Sequence, residues 1–148
     1  MKFLLDAMLG ALATYLRICG HDAAYALDRG IEADDRLLAW ARAEDRLLVT
    51  RDAALAARAG DRGLPIERRE VLDQLRELRA AGVPLALPER PTRCGSCNGV
   101  LDPVPAGGET PAYAPDPAET DCYRCRDCGQ VFWRGSHWDD VGERLASL

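Results

Sequence analysis

Apolar and polar residues in the first part of the chain form blocks that predict short strands and amphipathic helices. Four short apolar runs have the length of buried strands: KFLL (2–5), AAYAL (23–27), RLLVT (46–50) and LPIE (64–67). Elsewhere apolar residues recur every three or four positions and predict four helices: 8–20, one beginning at Asp34 as its N-cap, 53–59 and 70–81. This alternation indicates βαβ units and a mainly parallel sheet.

The composition changes near residue 88, where the segment VPLALPERPTR is punctuated by prolines. Beyond it, cysteine, proline, glycine and aromatic residues replace the helix formers. Residues 102–121 contain five prolines and no periodicity, which predicts an exposed loop. We therefore predict an α/β domain over residues 1–88 and a small second domain over residues 89–148.

The bulk composition limits the classes of protein to consider. The chain has 148 residues, 47% of them hydrophobic, and no apolar run reaches the ~18 residues of a membrane span. Asp6 and Arg17 interrupt the apolar N-terminal stretch, which favours a strand and a helix over a signal peptide, and we expect a cytoplasmic location. The net charge of −5 argues against binding nucleic acid through a broad basic surface, but metal ions could neutralise carboxylates locally.

Five of the six cysteines lie after residue 93, and four of them form two C-x-x-C hooks. Thiolate pairs at this spacing complete a tetrahedral zinc site, and the apolar run VFW after the second hook predicts a zinc ribbon whose ligands are Cys94, Cys97, Cys125 and Cys128. A closed site of four thiolates is structural rather than catalytic. Cys122 could replace Cys128, or His137 could displace a cysteine, but Gly129 and the strand after Cys128 favour the two hooks.

Three acids are placed where a parallel sheet would gather them. Asp6 and Asp52 follow predicted strands, and Asp34 begins the helix that precedes the second of these strands. Ligand sites of α/β sheets lie at the carboxyl ends of the strands, and converging carboxylates are suited to Mg²⁺ or Mn²⁺. Each acid could instead cap only the helix that it precedes, and Asp35 could replace Asp34 as a ligand.

The aromatic residues Phe132, Trp133 and Trp138 leave two interpretations open. They could stack on unpaired bases, or they could pack the ribbon against the α/β domain. Arg124, Arg126 and Arg134 lie among them in the sequence, but acidic residues outnumber basic residues in this part of the chain, so contact with RNA there would have to be local.

Four segments, in this order, resemble the PIN-like RNase family named after the C-terminal domain of the Mut-seven exonuclease: MKFLLDAMLGALATYLRICGHD, ADDRLLAWARAEDRLLVTRD, RCGSCNGVL and YRCRDCGQVFWRGSHW. The resemblance implies a PIN-like parallel sheet flanked by helices with a C-terminal zinc ribbon. It also implies hydrolysis of single-stranded RNA, with Asp6, Asp34 and Asp52 holding Mg²⁺ or Mn²⁺ and Cys94, Cys97, Cys125 and Cys128 holding structural zinc.

The same resemblance suggests residues that bind substrate. Thr50, Arg51 and Asp52 match the T-R-D signature of the family, and Arg17 and Arg51 are candidate phosphate contacts, although either could be a surface or salt-bridge arginine. Ala11 departs from the pattern, because a basic residue usually follows the Leu-Gly pair of the first helix. Loss of that cation would weaken phosphate binding. The alternatives to a metal-dependent RNase are therefore a catalytically weak scaffold that binds RNA or protein, and a toxin-type nuclease controlled by a partner.

Overall fold

The computed structural model describes residues 1–148 and contains two separate sheets. The main sheet has four parallel strands in the order β2-β1-β3-β4: β1 (Lys2–Leu5), β2 (Asp22–Tyr25), β3 (Leu47–Thr50) and β4 (Gly63–Pro65). The predicted α/β class and parallel sheet are confirmed. β2 and β4 each begin one residue earlier than predicted and end two residues earlier.

Five α-helices accompany the strands: α1 (Gly10–Ile18), α2 (Asp34–Ala43), α3 (Ala53–Ala59), α4 (Val71–Ala80) and α5 (Ser136–Ala146). The first four were predicted, but α5 was not. α1 is shorter than the predicted 8–20, because Met8 before it and Gly20 after it both have left-handed φ angles, of 73° and 87°. None of these helices has the length and apolar character that a membrane span requires.

The main sheet is covered on both faces, so its strands are buried throughout their apolar length. One face carries Phe3, Leu5 and Val49, which pack with residues of α1, α4 and α5. The opposite face carries Leu4 and Leu48, which pack with residues of α2 and α3. The alternation of apolar side chains between two hydrophobic cores explains why β1 and β3 read as continuous apolar runs rather than as alternating patterns.

The strand order creates a crevice at the carboxyl end of the sheet. From β1 the chain passes through α1 to β2 on one side, and then through α2 to β3 on the other side of β1. Sites in open α/β sheets lie where the strand order reverses in this way. The residues that directly follow β1 and β3 therefore occupy the position where a ligand is expected.

The second sheet is antiparallel, in the order β5-β6-β7, with β5 (Leu101–Pro103), β6 (Cys122–Cys125) and β7 (Val131–Trp133). Its small core consists of Leu101, Tyr123 and two cysteines, with Phe132 packed against it. Apart from the end of β5, the predicted loop over 102–121 contains only turns and irregular structure. These features and the cysteine cluster described below confirm the predicted ribbon architecture.

The ribbon is attached to the main sheet by hydrogen bonds and by α5. Asn98 Oδ1 accepts from the backbone N–H of Ala23 at 2.9 Å, and Asn98 Nδ2 donates to Asp22 Oδ1 at 2.7 Å. Burial acts to raise the pKa of Asp22, but hydrogen bonds from Arg46 and Asn98 outweigh it and lower that pKa. Val141 and Leu145 of α5 belong to the core of the main sheet. The division of the chain near residue 88 stays a prediction.

Gly63, at the start of β4, allows α3 to approach the sheet closely. A Cβ atom at Gly63 would lie 2.0 Å from the carbonyl oxygen of Ala56, so α3 or β4 would have to move. We expect Gly63→Ala to lower the free energy of unfolding by about 1–3 kcal/mol, the usual cost of overpacking. Urea unfolding would measure it. Gly107→Ala is the matched control, because Gly107 has open space around it, and an equal loss in both variants would contradict this explanation.

Candidate functional site

Asp6 and Asp52 lie at the carboxyl ends of β1 and β3 and are joined through Thr50. The Thr50 hydroxyl donates to Asp6 Oδ2 at 2.7 Å and accepts from the backbone N–H of Asp52 at 3.0 Å. The backbone N–H of Asp6 donates to the carbonyl of Val49 at 3.0 Å, which fixes the end of β1 against β3. The structure therefore brings these two predicted acids to the crevice where the strand order reverses.

Thr50 holds this arrangement from inside the protein. Its side chain is fully buried at the last position of β3, whereas Asp6 is partly exposed and Asp52 is exposed. A hydroxyl is needed at this position because it can donate to one carboxylate while it accepts from the N–H beside the other. Thr50, predicted as a substrate-binding residue, is thus buried and contacts the Asp6 carboxylate and the backbone of Asp52.

Asp52 caps α3 as well as facing the crevice. Its Oδ1 atom accepts from the backbone N–H groups of Ala54 at 3.0 Å and Leu55 at 3.1 Å. The capping role that the sequence offered as an alternative is therefore present. The Oδ2 atom of Asp52 accepts no hydrogen bond, so one oxygen remains available for a cation. Asp6 does not cap α1, since its Oδ1 atom accepts only from the neighbouring N–H of Ala7.

Asp34 is not the N-cap of α2, which corrects the prediction. Ala33 occupies the N-cap, and Asp34 is the first helical residue with no side-chain cap hydrogen bond. Its Oδ2 atom lies 3.8 Å from Arg58 Nη1, and the neighbouring Asp35 Oδ1 lies 2.6 Å from Arg58 Nη2. Asp6, Asp34 and Asp52 do not form a group whose ligand atoms all lie within 4.8 Å of one another.

The two predicted phosphate contacts differ in their surroundings. The Arg17 side chain is 3% exposed and donates to the carbonyls of Ala23 and Gly95 and to Asp28 Oδ2, at distances of 2.8, 3.1 and 3.2 Å. Arg17 thus forms the salt bridge that was the alternative to phosphate binding, and it joins α1 to β2 and to the ribbon. Arg51 is exposed and forms no salt bridge or side-chain hydrogen bond, so its guanidinium remains available to a phosphate.

Three further arginines lie near this edge and were missed in the sequence. Arg58 projects from α3 to Asp34 and Asp35, and Arg68 and Arg69 follow β4 in the loop that leaves the carboxyl end of the sheet. The side chains of Arg68 and Arg69 are exposed and form no salt bridge. Arg68 and Arg69 could have been predicted from their position directly after a predicted strand, because the same reasoning identified Asp6 and Asp52.

The second candidate site is the cluster of Cys94, Cys97, Cys125 and Cys128, whose sulfur atoms all lie within 4.8 Å of one another. The Sγ atoms of Cys94 and Cys128 are 3.6 Å apart, and those of Cys97 and Cys125 are 3.4 Å apart. Four sulfurs around zinc at about 2.3 Å would be about 3.8 Å from each other, close to these separations. The cluster could therefore hold a zinc ion.

The backbone around the cysteines also fits a metal. The residue after each hook, Asn98 or Gly129, has a left-handed φ angle, of 72° or 79°, which turns the chain back into the ribbon. The N–H groups of Asp127 and Cys128 point to Cys125 Sγ at 3.4 and 3.5 Å. A Cβ atom at Gly99 would lie 2.5 Å from the same sulfur, so only glycine leaves room at this position.

The thiols of the cluster differ in how easily they ionise. Burial raises the pKa of Cys97 to about 12 and also raises the pKa of Cys94. Burial acts in the same direction on Cys125, but the N–H groups of Cys128 and Asp127 and the neighbouring thiols outweigh it and lower that pKa to about 7. A divalent cation would compensate the remaining desolvation, because a coordinating thiol is deprotonated by the metal charge.

Cys122 lies apart from this cluster, as the preference for the two hooks predicted. It is buried, and its Sγ atom faces the carbonyls of Thr120 at 3.4 Å and Pro115 at 3.6 Å. Although Cys122 and Cys125 are themselves spaced as a C-x-x-C pair, they lie at the two ends of β6. The strand thereby separates Cys122 from the sulfurs of the cluster.

Comparison with known proteins gives one match. The family model described as the Mut7-C RNAse domain matches residues 1–145 and so covers both the acidic edge and the cysteine cluster. Neither the curated proteins nor the solved structures contain a significant match.

Proposed function

Because the chain belongs to the Mut7-C RNAse domain family and is therefore RNase-like, we propose that it hydrolyses single-stranded RNA with Mg²⁺ or Mn²⁺ bound at the acidic edge. The observation that carries this proposal is the hydrogen-bonded chain from Asp6 through Thr50 to Asp52. It stands at the reversal of the strand order, where α/β sheets bind their ligands. The zinc of the ribbon would be structural, since four thiolates leave no open position.

Asp6 and Asp52 would hold the divalent ion, with Asp34 as a third carboxylate. When bound, such an ion supplies Lewis-acid stabilisation of a phosphodiester and lowers the pKa of water. The buried hydroxyl of Thr50 orients Asp6 Oδ2, and the helix-capping bonds of Asp52 orient its carboxylate while Oδ2 stays without a hydrogen bond. Arg51, exposed beside these acids, would contact a substrate phosphate.

Arg58 would compete with a divalent ion for the carboxylate of Asp34. Its guanidinium lies 3.8 Å from Asp34 and 2.6 Å from Asp35, so it neutralises part of the negative charge that would attract a divalent ion. These pairs are exposed, and exposed ion pairs are weak. A divalent cation that binds Asp34 would therefore have to displace only a weak ion pair.

A scaffold that binds RNA or protein with little catalysis is the second candidate function. It is favoured by the pairing of Asp34 with Arg58 and by the separation of the three acids. Calorimetric titration with Mn²⁺ would distinguish the two functions. A nuclease of the proposed kind binds Mn²⁺ at the acidic edge, whereas a scaffold binds none beyond the ribbon metal.

The proposed activity can be tested with labelled single-stranded RNA in the presence of Mn²⁺ or Mg²⁺. We expect cleavage by the unmodified chain only when a divalent ion is present, and loss of cleavage in the Asp6→Asn/Asp52→Asn variant. Asp34→Asn should reduce cleavage more than Asp35→Asn, since both residues contact Arg58 but only Asp34 is proposed as a ligand. Equal cleavage by the unmodified chain and the double variant would indicate a contaminating nuclease and reject the proposal.

A further inference from the structure

A large cleft separates the ribbon from the α/β domain. Its volume is about 670 Å³, within the range of ligand-binding pockets. One face of α1 and the end of β2 form one wall, and β7 with the start of α5 forms the other. Five aromatic side chains line it: Tyr25, Tyr113, Phe132, Trp133 and Trp138. Such a concentration of aromatic surface is unusual in a chain with only 6% aromatic residues.

We propose that this cleft binds unpaired bases of single-stranded RNA by stacking them on its aromatic side chains. The proposal rests on the ribonuclease function proposed above, and it assigns the part of the molecule that holds the substrate beside the acidic edge. Stacking on aromatic rings suits single-stranded nucleic acid, because every base offers a flat face whatever its sequence.

The aromatic rings in the cleft remain available to a ligand. Trp133 and Tyr113 are nearly parallel, with ring centroids 6.2 Å apart and an angle of 24° between their planes. Tyr113 is 56% exposed, and its hydroxyl accepts from the N–H of Val131 at 3.0 Å, which holds the ring against β7. Trp133 and Trp138 are partly exposed. Side chains that only packed the ribbon against the α/β domain would be buried between them.

The cleft also carries polar groups that could meet the edges of a base. Gln130 and His137 are exposed at its border. Gln130 Oε1 accepts from the Ser96 hydroxyl at 2.6 Å, which leaves the amide nitrogen of Gln130 without a partner. Apolar pockets with a few convergent polar groups are the usual form of small-ligand sites.

Tyr25 places one end of the cleft near the acidic edge. Tyr25 is the last residue of β2 and pairs with Leu5, the residue directly before Asp6. A Cβ atom at Gly10 would lie 3.3 Å from the Tyr25 ring, so this ring rests on the first residue of α1, four positions after Asp6. An RNA strand with a base beside Tyr25 would therefore have its backbone close to Asp6.

The charges in the cleft indicate that stacking dominates over phosphate contacts. Arg17 is buried and forms a salt bridge with Asp28. Arg93 lies near Asp22 and donates to the carbonyl of Asn98. Asp28, the ion-pair partner of Arg17, lines the same cleft. Because few free cations face the cleft, the binding constant for RNA should depend only weakly on salt. Each neutralised phosphate contributes about −0.7 to the slope of log K against log salt concentration, and few phosphates would be neutralised.

The test measures binding separately from cleavage. The Asp6→Asn variant, in the absence of Mg²⁺ and Mn²⁺, is titrated with fluorescent oligouridylate and with the same oligomer carrying abasic sites. We expect Trp133→Leu or Trp138→Leu, added to this variant, to weaken binding of oligouridylate by about 5- to 150-fold, the range for loss of one stacked base. Trp133→Phe and Trp138→Phe keep an aromatic face and should retain most of the affinity. Val100→Ala, an exposed apolar change outside the cleft, is the control.

Equal affinity for the oligouridylate and the abasic oligomer would overturn the proposal, as would unchanged binding in both leucine variants. Quenching of tryptophan fluorescence by the two oligomers tests the same point without any substitution in the cleft. Quenching by oligouridylate alone supports stacking, and equal quenching contradicts it. Tight, base-dependent binding without metal-dependent cleavage by the unmodified chain would reject the ribonuclease function but leave the binding site in place.

Discussion

Replacing Cys94 by serine is expected to lower the midpoint of thermal unfolding by about 10–20 °C. Structural zinc contributes about 10–16 kcal/mol to the folding of small zinc domains, and we take the loss of one thiolate to remove at least about 5 kcal/mol. For a chain of this size, each kcal/mol corresponds to about 2–4 °C. We expect the ribbon to depend on the metal because its own core is small, with only four buried residues.

Cys122→Ser is the matched control for this prediction. Cys122 is also buried, but it lies outside the cluster, and a serine hydroxyl there could donate to the carbonyl of Thr120 or Pro115. The control should keep stoichiometric zinc and nearly the original midpoint, whereas Cys94→Ser should lose both. Mass spectrometry would measure the zinc content, and circular dichroism would measure the midpoint of thermal unfolding. Similar melting of the two variants, each with zinc retained, would show that the cluster does not bind the metal.

The damage in Cys94→Ser is expected to extend into the main sheet. Gly95, beside Cys94, accepts from the buried Arg17, and Asn98 pairs with Asp22 and with the N–H of Ala23 in β2. Disorder of the first hook would leave these buried donors and acceptors without partners, at a cost of about 1–3 kcal/mol each. Removal of zinc by a chelator should therefore also destabilise β2, which hydrogen exchange would detect.

Replacing Asp6 by asparagine is expected to reduce the rate of metal-dependent RNA cleavage by about 10³-fold or more. A bound divalent ion supplies several kcal/mol of transition-state stabilisation, and each tenfold in rate corresponds to about 1.4 kcal/mol. The asparagine side chain would keep the shape of the aspartate and could still accept from Thr50, but it would lack the negative charge that attracts the ion. Single-turnover cleavage of labelled RNA at saturating Mn²⁺ measures the effect on chemistry.

Asp61→Asn is the control for this variant. Asp61 is exposed and precedes β4, so it lies at the amino end of the sheet, opposite the proposed site. This variant should cleave at the rate of the unmodified chain. Comparable losses in both variants would show that overall charge rather than the acidic edge determines the rate. A full rate in Asp6→Asn would remove Asp6 from the proposed site.

The strands and the acidic edge could be predicted because both follow from short-range patterns. β1 and β3 are continuous apolar runs, since each is buried on both faces, and a parallel sheet places Asp6 and Asp52 at one edge. Capping is equally local, although Ala33 occupies the position expected for Asp34. α2 begins without a side-chain cap at its N-terminus, and the capping propensities of the residues alone could not predict this.

The docking of the ribbon could not be predicted, because it depends on pairs of residues that are far apart in the sequence. Arg17 meets Gly95, and Asp22 meets Asn98, through contacts that no local pattern specifies. α5 was missed because only Trp138, Val141 and Leu145 mark its apolar face among acidic and polar residues. These three residues have helical spacing, but only Val141 and Leu145 pack in the core of the main sheet.

The packing of α5 on the main sheet has a consequence for the order in which the protein is made. A ribosome adds about 5–20 residues per second, so α5 emerges about 3–13 s after α4 is complete. Small domains typically fold in microseconds to seconds, so folding of the sheet can be faster than the synthesis of the chain between α4 and α5. We therefore expect the strands of the sheet to form during synthesis while the surface that Val141 and Leu145 later cover still faces water. Binding of a chaperone to the nascent chain would be most useful in those seconds.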